Sequence, residues 1–339
     1  MATIFDVADL AGVSIKTVSR VLNGSSSVRA ATIEKVRAAM SELDYRPSSA
    51  ARELRKGKSN AIGMLFGDPS SGFQSRLHHA ALQACNDAGY FLTAGLFREE
   101  EDNWDEQLTQ FLNRTSIEKM ILVPPLCGST ALHDRLIEQG ASFVLVSPSR
   151  AVAVAHAVCM DDRRAAREIT EHLLDLGHRR IAHITGPSDH AATRLRREGF
   201  EDAMRAVGDA ALRPDWIQPG LFRFKPALEC ARQILAGPDR PTAIFAANDE
   251  MAAAVCFAAN SLGLRVPDDL SVVGFDDVAI ATTMWPPLTT VAQPYAQMAR
   301  ESVRLLTEVG PPGDAGEAAE KITIDHALKV RQSTAALAD

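Results

Sequence analysis

Three polar residues in the second half of the chain stand where short apolar runs end. Asp276 follows "SVVGF", Asn248 follows "AIFAA", and Arg196 lies in the stretch after "IAHITGP". A carboxylate, an amide and a guanidinium held in place offer directional hydrogen bonds to the neighbouring hydroxyls of a polyhydroxylated solute. Phe222 and Trp285 supply rings for its apolar face. Each residue also has a plainer reading: Arg196 and Asp276 as a salt bridge across a cleft, Asn248 as a helix cap before "DEMA", the rings as core. A second chemistry sits near the start, where "SIKTVSRVLNG" places Lys16 and Arg20 on one side of a short helical pattern. Cations at that spacing suit a polyanion.

Signatures of catalysis are missing from the sequence. No GxGxxG follows a strand, and neither GxxxxGK[ST] nor GxSxG occurs. The adjacent acids Asp276 and Asp277 have no partners in sight for acid–base work. Cys85, Cys127, Cys159, Cys230 and Cys256 are scattered singly, with no CxxC pair and no histidine at zinc spacing, so reduced thiols and no metal are expected. The expectation is a protein that is not an enzyme and carries no cofactor.

The elements that position these residues divide the chain in two. Residues 1–60 carry ten Lys/Arg against six acids, a charge of +4, whereas the remainder carries −11 of the total of −7. A basic head on an acidic body favours contact with nucleic acid through the head alone. Thr3 and Asp6 have capping-box spacing ahead of Val7, Ala8, Leu10 and Ala11, and Gly12 ends that first helix. Ser14 can cap a second helix, Ile15 to about Leu22, with Val18, Val21 and Leu22 on one stripe and Ile15, Lys16, Ser19, Arg20 and Asn23 on the other. A third, from Ala30 to Leu43, repeats Ile33, Val36, Met40 and Leu43. Three short helices around one small core make a helix-turn-helix unit, whose second helix enters the major groove of DNA.

Next comes "YRPSSAARELRKGKSN". Pro47 stops the third helix, Ser48 can cap another, and Gly57 ends it. A helix of roughly eight residues is marginal alone. The expectation is a hinge that folds on the minor groove, with Leu54 as wedge, Ala51 on the same face, and Arg52, Arg55, Lys56 and Lys58 near phosphates. A flexible basic linker is the other reading.

From Ala61 onward, "AIGMLF", "YFLTAGL", "KMILVP" and "SFVLVS", then "RRIAHITG", "TAIFAAN" and "LSVVGFDD", alternate with helical stretches. This pattern predicts βαβ units with parallel sheets buried on both faces, in two doubly wound subdomains. Ligands bind beyond the C-terminal strand ends of such sheets. With 339 residues, 46% of them hydrophobic, the chain can bury a large core. The N-terminus has no export signal pattern and no apolar run reaches the roughly 18 residues of a membrane span. A cytoplasmic protein without membrane contact is expected.

At this point "TIFDVADLAGVSIKTVSRVLNG", "VRAATIEKVRAAMSELDYRP" and "AARELR" resemble the head and hinge of the lac repressor family of bacterial transcription regulators. The likeness continues through "EHLLDLGHRRIAHITGP", "RREGF", "AIFAANDEMA" and "LRVPDDLSVVGFDD…WPPLTTVAQP", over a core of the kind found in periplasmic sugar-binding proteins. It implies a helix-turn-helix domain at 1–47, a hinge at 48–59 and an effector-binding and dimerisation domain at 60–339. Within the last, one subdomain comprises about 60–160 and 291–321, the other about 161–288 and 322–339. Crossings are expected near Ser147–Asp161, Trp285–Val291 and Glu320–Asp325. It implies DNA contacts from Ser14, Ile15, Lys16, Thr17, Arg20, Asn23 and Tyr45, and from Ser48, Ala51, Leu54 and Arg55 in the hinge. Effector contacts are implied at Phe73, Ser147, Arg196, Phe222, Asn248, Asp276 and Trp285. Ser147 stands where the family often has an acid, which favours an anionic or differently hydroxylated effector. The resemblance further implies a homodimer on an inverted-repeat operator in double-stranded DNA, repressing carbohydrate-use genes under control of a sugar or sugar acid. A purine or phosphorylated metabolite is the alternative effector, and a sugar-binding receptor or enzyme the alternative class.

Overall fold

The computed structural model describes residues 2–22, 28–45, 60–67, 72–97, 103–149, 152–208, 212–312 and 318–337. Asn23 and the hinge residues Ser48, Ala51, Leu54 and Arg55 lie outside them. The chain forms two compact units, Met1–Asn60 and Ala61–Asp339.

In the first unit, α1 (Ile4–Ala11) opens with the capping box: Thr3 Oγ1 accepts from the Asp6 N–H, and Asp6 accepts from the Thr3 N–H at 2.7 Å. Gly12, at φ 64°, ends the helix in a conformation that costs a residue without Cβ little. Then α2 (Ile15–Leu22) and α3 (Ala30–Glu42) follow. Val7, Ala8, Val18, Val36 and Ala39 form the shared core. Ile15 departs from its expected place on the free face. It is half-buried against this core, because an apolar side chain at the first helical position folds back beneath the turn.

In the second unit the strands are β1 (Ala61–Phe66), β2 (Phe91–Leu96), β3 (Lys119–Leu122), β4 (Ser142–Val146), β5 (His156–Met160), β6 (Ile181–Thr185), β7 (Ile217–Pro219), β8 (Ala243–Ala246), β9 (Ser271–Asp276), β10 (Thr289–Ala292), β11 (Lys321–Ile324) and β12 (Ala327–Lys329). They build two six-stranded sheets, ordered β11-β5-β4-β3-β1-β2 and β12-β10-β9-β8-β6-β7. Among the described residues, all pairings are parallel except β10 with β12. Continuous burial along β1, β6, β8 and β9 reflects helices on both faces. On the first sheet these are α4 (Gly72–Asp87), α5 (Trp104–Thr115) and α6 (Thr130–Glu138). On the second they are α7 (Asp162–Asp175), α8 (Ala191–Ala206), α9 (Phe224–Leu235), α10 (Asp249–Ser261) and the short α11 (Ala279–Thr283). Helix α12 (Tyr295–Arg304) returns to the first sheet and shares a core with α4 through Leu77, Ala81, Met298 and Ala299.

One crossing and one subdomain boundary fall elsewhere than expected. Thr289–Ala292 is β10 of the second sheet, so the chain crosses at Gln293–Pro294, beyond Trp285–Val291. Lys321–Ile324 pairs with β5 of the first sheet, so the subdomain boundary expected after 321 lies beyond Ile324. Both segments are four-residue strands whose sheet is decided by which neighbour supplies hydrogen bonds, information absent from their own residues. Gly177, at φ 92°, ends the turn after α7, and His178 is tied to Thr242, Ser271 and Ala335, an architectural role.

Candidate functional site

On the first unit, Ser14 caps α2: its Oγ accepts from the Thr17 N–H at 3.2 Å and lies 2.9 Å from Thr17 Oγ1. Val18 is buried, which turns Lys16 and Arg20 outward to solvent on the opposite side. An N-terminal turn with an exposed Ser14 and Lys16, followed by Arg20 in the last turn on the same side, suits phosphates and base edges. Tyr45 is half-buried against the helical core.

In the second unit, a cavity of about 80 Å³ lies between the two sheets. The first subdomain contributes Phe73, Gln74, Pro124 and Ser147, the second Asp162, His190, Ala192, Arg196, Phe222, Asn248 and Asp276, and Gln293 comes from a crossing. Six of the seven expected effector residues therefore meet here. Trp285 does not. It stands 83% exposed, because the turn closed by the Leu288 N–H on the Ala281 carbonyl leaves the indole outside the cavity.

Arg196 is at the centre. It belongs to the buried stripe Arg196, Gly199, Phe200 and Ala203 of α8. At Gly199 a Cβ would lie 2.1 Å from the Arg163 carbonyl, so only glycine lets α8 approach α7 this closely. That approach brings Arg196 to Asp162, at the first turn of α7. Arg196 Nε donates to Asp162 Oδ1 at 2.8 Å, its Nη1 donates to the Ala247 carbonyl at 2.6 Å, and its Nη2 lies 3.5 Å from Asp276 Oδ1. The guanidinium covers the Phe275 ring at 3.6 Å. All three charged residues belong to the second subdomain, so the expected bridge across the cleft is instead a cluster on one wall.

Asp276, the last residue of β9, has φ 107° and is followed by Asp277 at φ 53°. These are sparsely populated conformations for residues with a Cβ, and such sites concentrate where groups are aimed at ligands. Burial pushes the Asp276 carboxyl up to about 6 against the opposing pull of Arg196 and the Gln293 amide. Burial is the largest influence, and the nearby charge of Asp162 adds to it. Gln293 Nε2 donates to Asp276 Oδ1 at 2.6 Å. Behind it, fully buried Asp249 accepts from the Thr290 hydroxyl and the Val278 N–H, and burial together with the charge of Asp276 raises it to about 8.

Asn248 caps α10, as its plainer reading expected: Oδ1 accepts from the Met251 N–H at 2.9 Å and Nδ2 donates to the Phe222 carbonyl at 3.2 Å. Through that bond it also holds Phe222, whose backbone and that of Leu221 lie at φ 56° and 59°. The ring packs over Gly186, where a Cβ would meet Phe222 Cζ at 2.3 Å, and edge-on to His190 at 5.7 Å. On the facing wall, Gln74 donates to the Pro124 carbonyl at 2.8 Å, and Ser147 turns at φ 50° after β4. Gln293, Gln74 and His190 escape the sequence reading, and Asp162, which the family likeness marks as a structural residue at a crossing, also lines the cavity. Asp162 begins a helix directly after a strand, the one signal that pointed to the cleft. The other three reach it only through the packing of α4, α8 and the crossing.

Comparison with known proteins accounts for both units. Residues 3–48 match the model of bacterial regulatory proteins of the lacI family, and residues 170–334 that of a periplasmic binding protein-like domain. The ribose operon repressor of Escherichia coli (strain K12) is 36% identical over 310 residues, covering 90% of this chain and 92% of that protein. The HTH-type transcriptional repressor PurR of Haemophilus influenzae (strain PittEE) is 31% identical over 336 residues, covering 98% of each. The lac repressor dimer bound to operator and the anti-inducer ONPF superposes with a TM-score of 0.84 at 28% identity, covering 99% of each chain. A transcriptional regulator CelR–cellobiose complex matches at 0.73 and 30% identity, covering 98% of this chain and all of that one. The chain belongs to the lacI family of bacterial regulatory proteins, ligand-responsive transcription regulators that bind DNA.

Proposed function

We propose that this protein is a homodimeric repressor in the cytoplasm, not an enzyme, and that it represses carbohydrate-use genes through an inverted-repeat operator. Its operator affinity is changed by a neutral hydroxylated effector, a sugar, held in the cavity around Arg196. The carrying observation is the state of Arg196. Its Nε and Nη1 are already bonded to Asp162 and Ala247, and its charge is shared with Asp276. A sugar acid or phosphorylated metabolite would therefore meet two carboxylates and one committed cation, which disfavours it despite Ser147 standing in place of an acid. Carboxylates and the amides of Gln74 and Gln293 suit hydroxyls, and the Phe222 ring suits an apolar sugar face. A two-fold dimer matches two half-sites related by the same axis. Coupling of about 1–3 kcal/mol would change operator affinity about 5- to 150-fold.

The test is a fluorescence anisotropy titration on a duplex selected from random sequences, repeated with D-ribose, cellobiose, gluconate, ribose 5-phosphate and hypoxanthine. A neutral sugar that shifts affinity severalfold supports the reading. A response to hypoxanthine alone would move a purine to first place, and a response only to the anions would refute the charge argument.

A further inference from the structure

We propose that Tyr295 is a positioning residue that ties the ligand-facing Asp276 of the second subdomain to the core of the first, an inference that rests on reading the cavity as a ligand site. Tyr295 is the first residue of α12, directly after the crossing at Gln293–Pro294. Its phenol O–H donates to the Asp276 main-chain carbonyl at 3.2 Å. Its ring is buried in the core that α12 shares with α4, and it packs on Phe73 at 5.7 Å between centroids with Arg76 on its face at 5.9 Å. Phe73 in turn lines the cavity from the opposite wall.

The two-residue turn at Asp276–Asp277 needs anchors, since both residues hold positive φ. Arg331 Nη2 donates to Asp277 Oδ1 at 2.6 Å, from the same subdomain as the turn. Gln293 on the carboxylate and Tyr295 on the carbonyl come from the crossing segment, while Arg196 faces the carboxylate at 3.5 Å from within the second subdomain. Of these, Tyr295 alone also sits in the first subdomain's core. A ligand that draws on the Asp276 carboxylate competes with Gln293 and biases this turn, and the phenol passes the bias to α12, Phe73 and α4. A side chain bonded to one body and packed in the other is a physical route for coupling, provided that it transmits a perturbation.

The experiment needs no ligand. Asp276→Ala removes the side-chain anchors and stands in for a ligand's pull. Backbone hydrogen exchange is followed by mass spectrometry in the peptide spanning 72–87, in the wild type, Asp276→Ala, Tyr295→Phe and the double variant. Expected is exchange at least about threefold faster on Asp276→Ala when Tyr295 is present, and no such acceleration with phenylalanine in its place. A ring that only fills the core would respond alike in both backgrounds. Equal acceleration in both, or none with Tyr295 present, overturns the proposal. Should Tyr295→Phe lose its fold by circular dichroism, Phe73→Leu breaks the same route one step further and carries the same expectation. Failure here leaves the ligand reading of the cavity standing, whereas failure of every compound in the anisotropy panel counts against that reading alone.

Discussion

Arg196 and Asp276 lie on one wall of the cleft, with Nη2 and Oδ1 3.5 Å apart, and Asp162 takes the shorter bond at 2.8 Å. The guanidinium thus neutralises two buried carboxylates, and the cavity presents their remaining lone pairs to a ligand.

Arg196→Ala leaves Asp162 and Asp276 buried without a cation. A loss of about 3–5 kcal/mol in unfolding free energy is expected at neutral pH. Arg196→Lys should recover only part of it, because a single ammonium cannot form the fork that reaches Asp162, Ala247 and Asp276 together. Urea unfolding of the three proteins measures both; a loss under 1 kcal/mol for the alanine variant would contradict the assignment.

The two raised carboxyls set a pH dependence. Asp276 titrates at about 6 and Asp249 at about 8 in the folded protein, both above the ordinary value of 3.8. The folded state therefore holds protons that the unfolded state has released, and stability from these groups falls as pH rises from about 4 through about 8. Asp249→Asn removes the larger share of that slope. Thermal unfolding from pH 5 to 9 should show a flatter profile for the variant than for the wild type, and parallel profiles would refute the assignment.

Gly186→Ala tests the wall that carries the ring. The added Cβ would meet Phe222 Cζ at 2.3 Å and Thr193 Oγ1 at 2.4 Å, so Phe222 must leave its place over the cavity. A sugar-binding loss of tenfold or more, about 1.4 kcal/mol, is expected in calorimetry, with far less effect on binding of DNA in the absence of ligand.

Lys16 and Arg20 are exposed on α2 opposite buried Val18. For a residue that contacts only phosphate, alanine should weaken binding evenly across duplexes and lower the salt slope by about 1. For one that reads a base, the loss falls on the selected duplex, with about 1–3 kcal/mol of discrimination gone at one position. Anisotropy at several salt concentrations separates the two roles, and no change at either residue would exclude α2 as the reading helix.

Local signals in the sequence determined much of this protein. The Thr3–Asp6 box, Gly12, Ser14 and the stripe of Val18, Val21 and Leu22 define two helices and the face left free between them, because caps and helical periodicity act within a few residues. Runs such as "AIGMLF" and "SVVGF" announced parallel strands, and the strand-end rule pointed to Asp276, Asn248 and Arg196. Tertiary structure decided what depends on distant partners. Thr289–Ala292 and Lys321–Ile324 join their sheets through neighbours far away in the chain. Trp285, an aromatic near the cleft in sequence, ends outside it, while Asp162 is drawn in because Gly199 lets α8 close on α7. Whether Arg196 binds a ligand's charge or spends its own on two aspartates is likewise set by packing, since Arg196 and Asp162 stand 34 positions apart and no spacing along the chain records that separation as a contact.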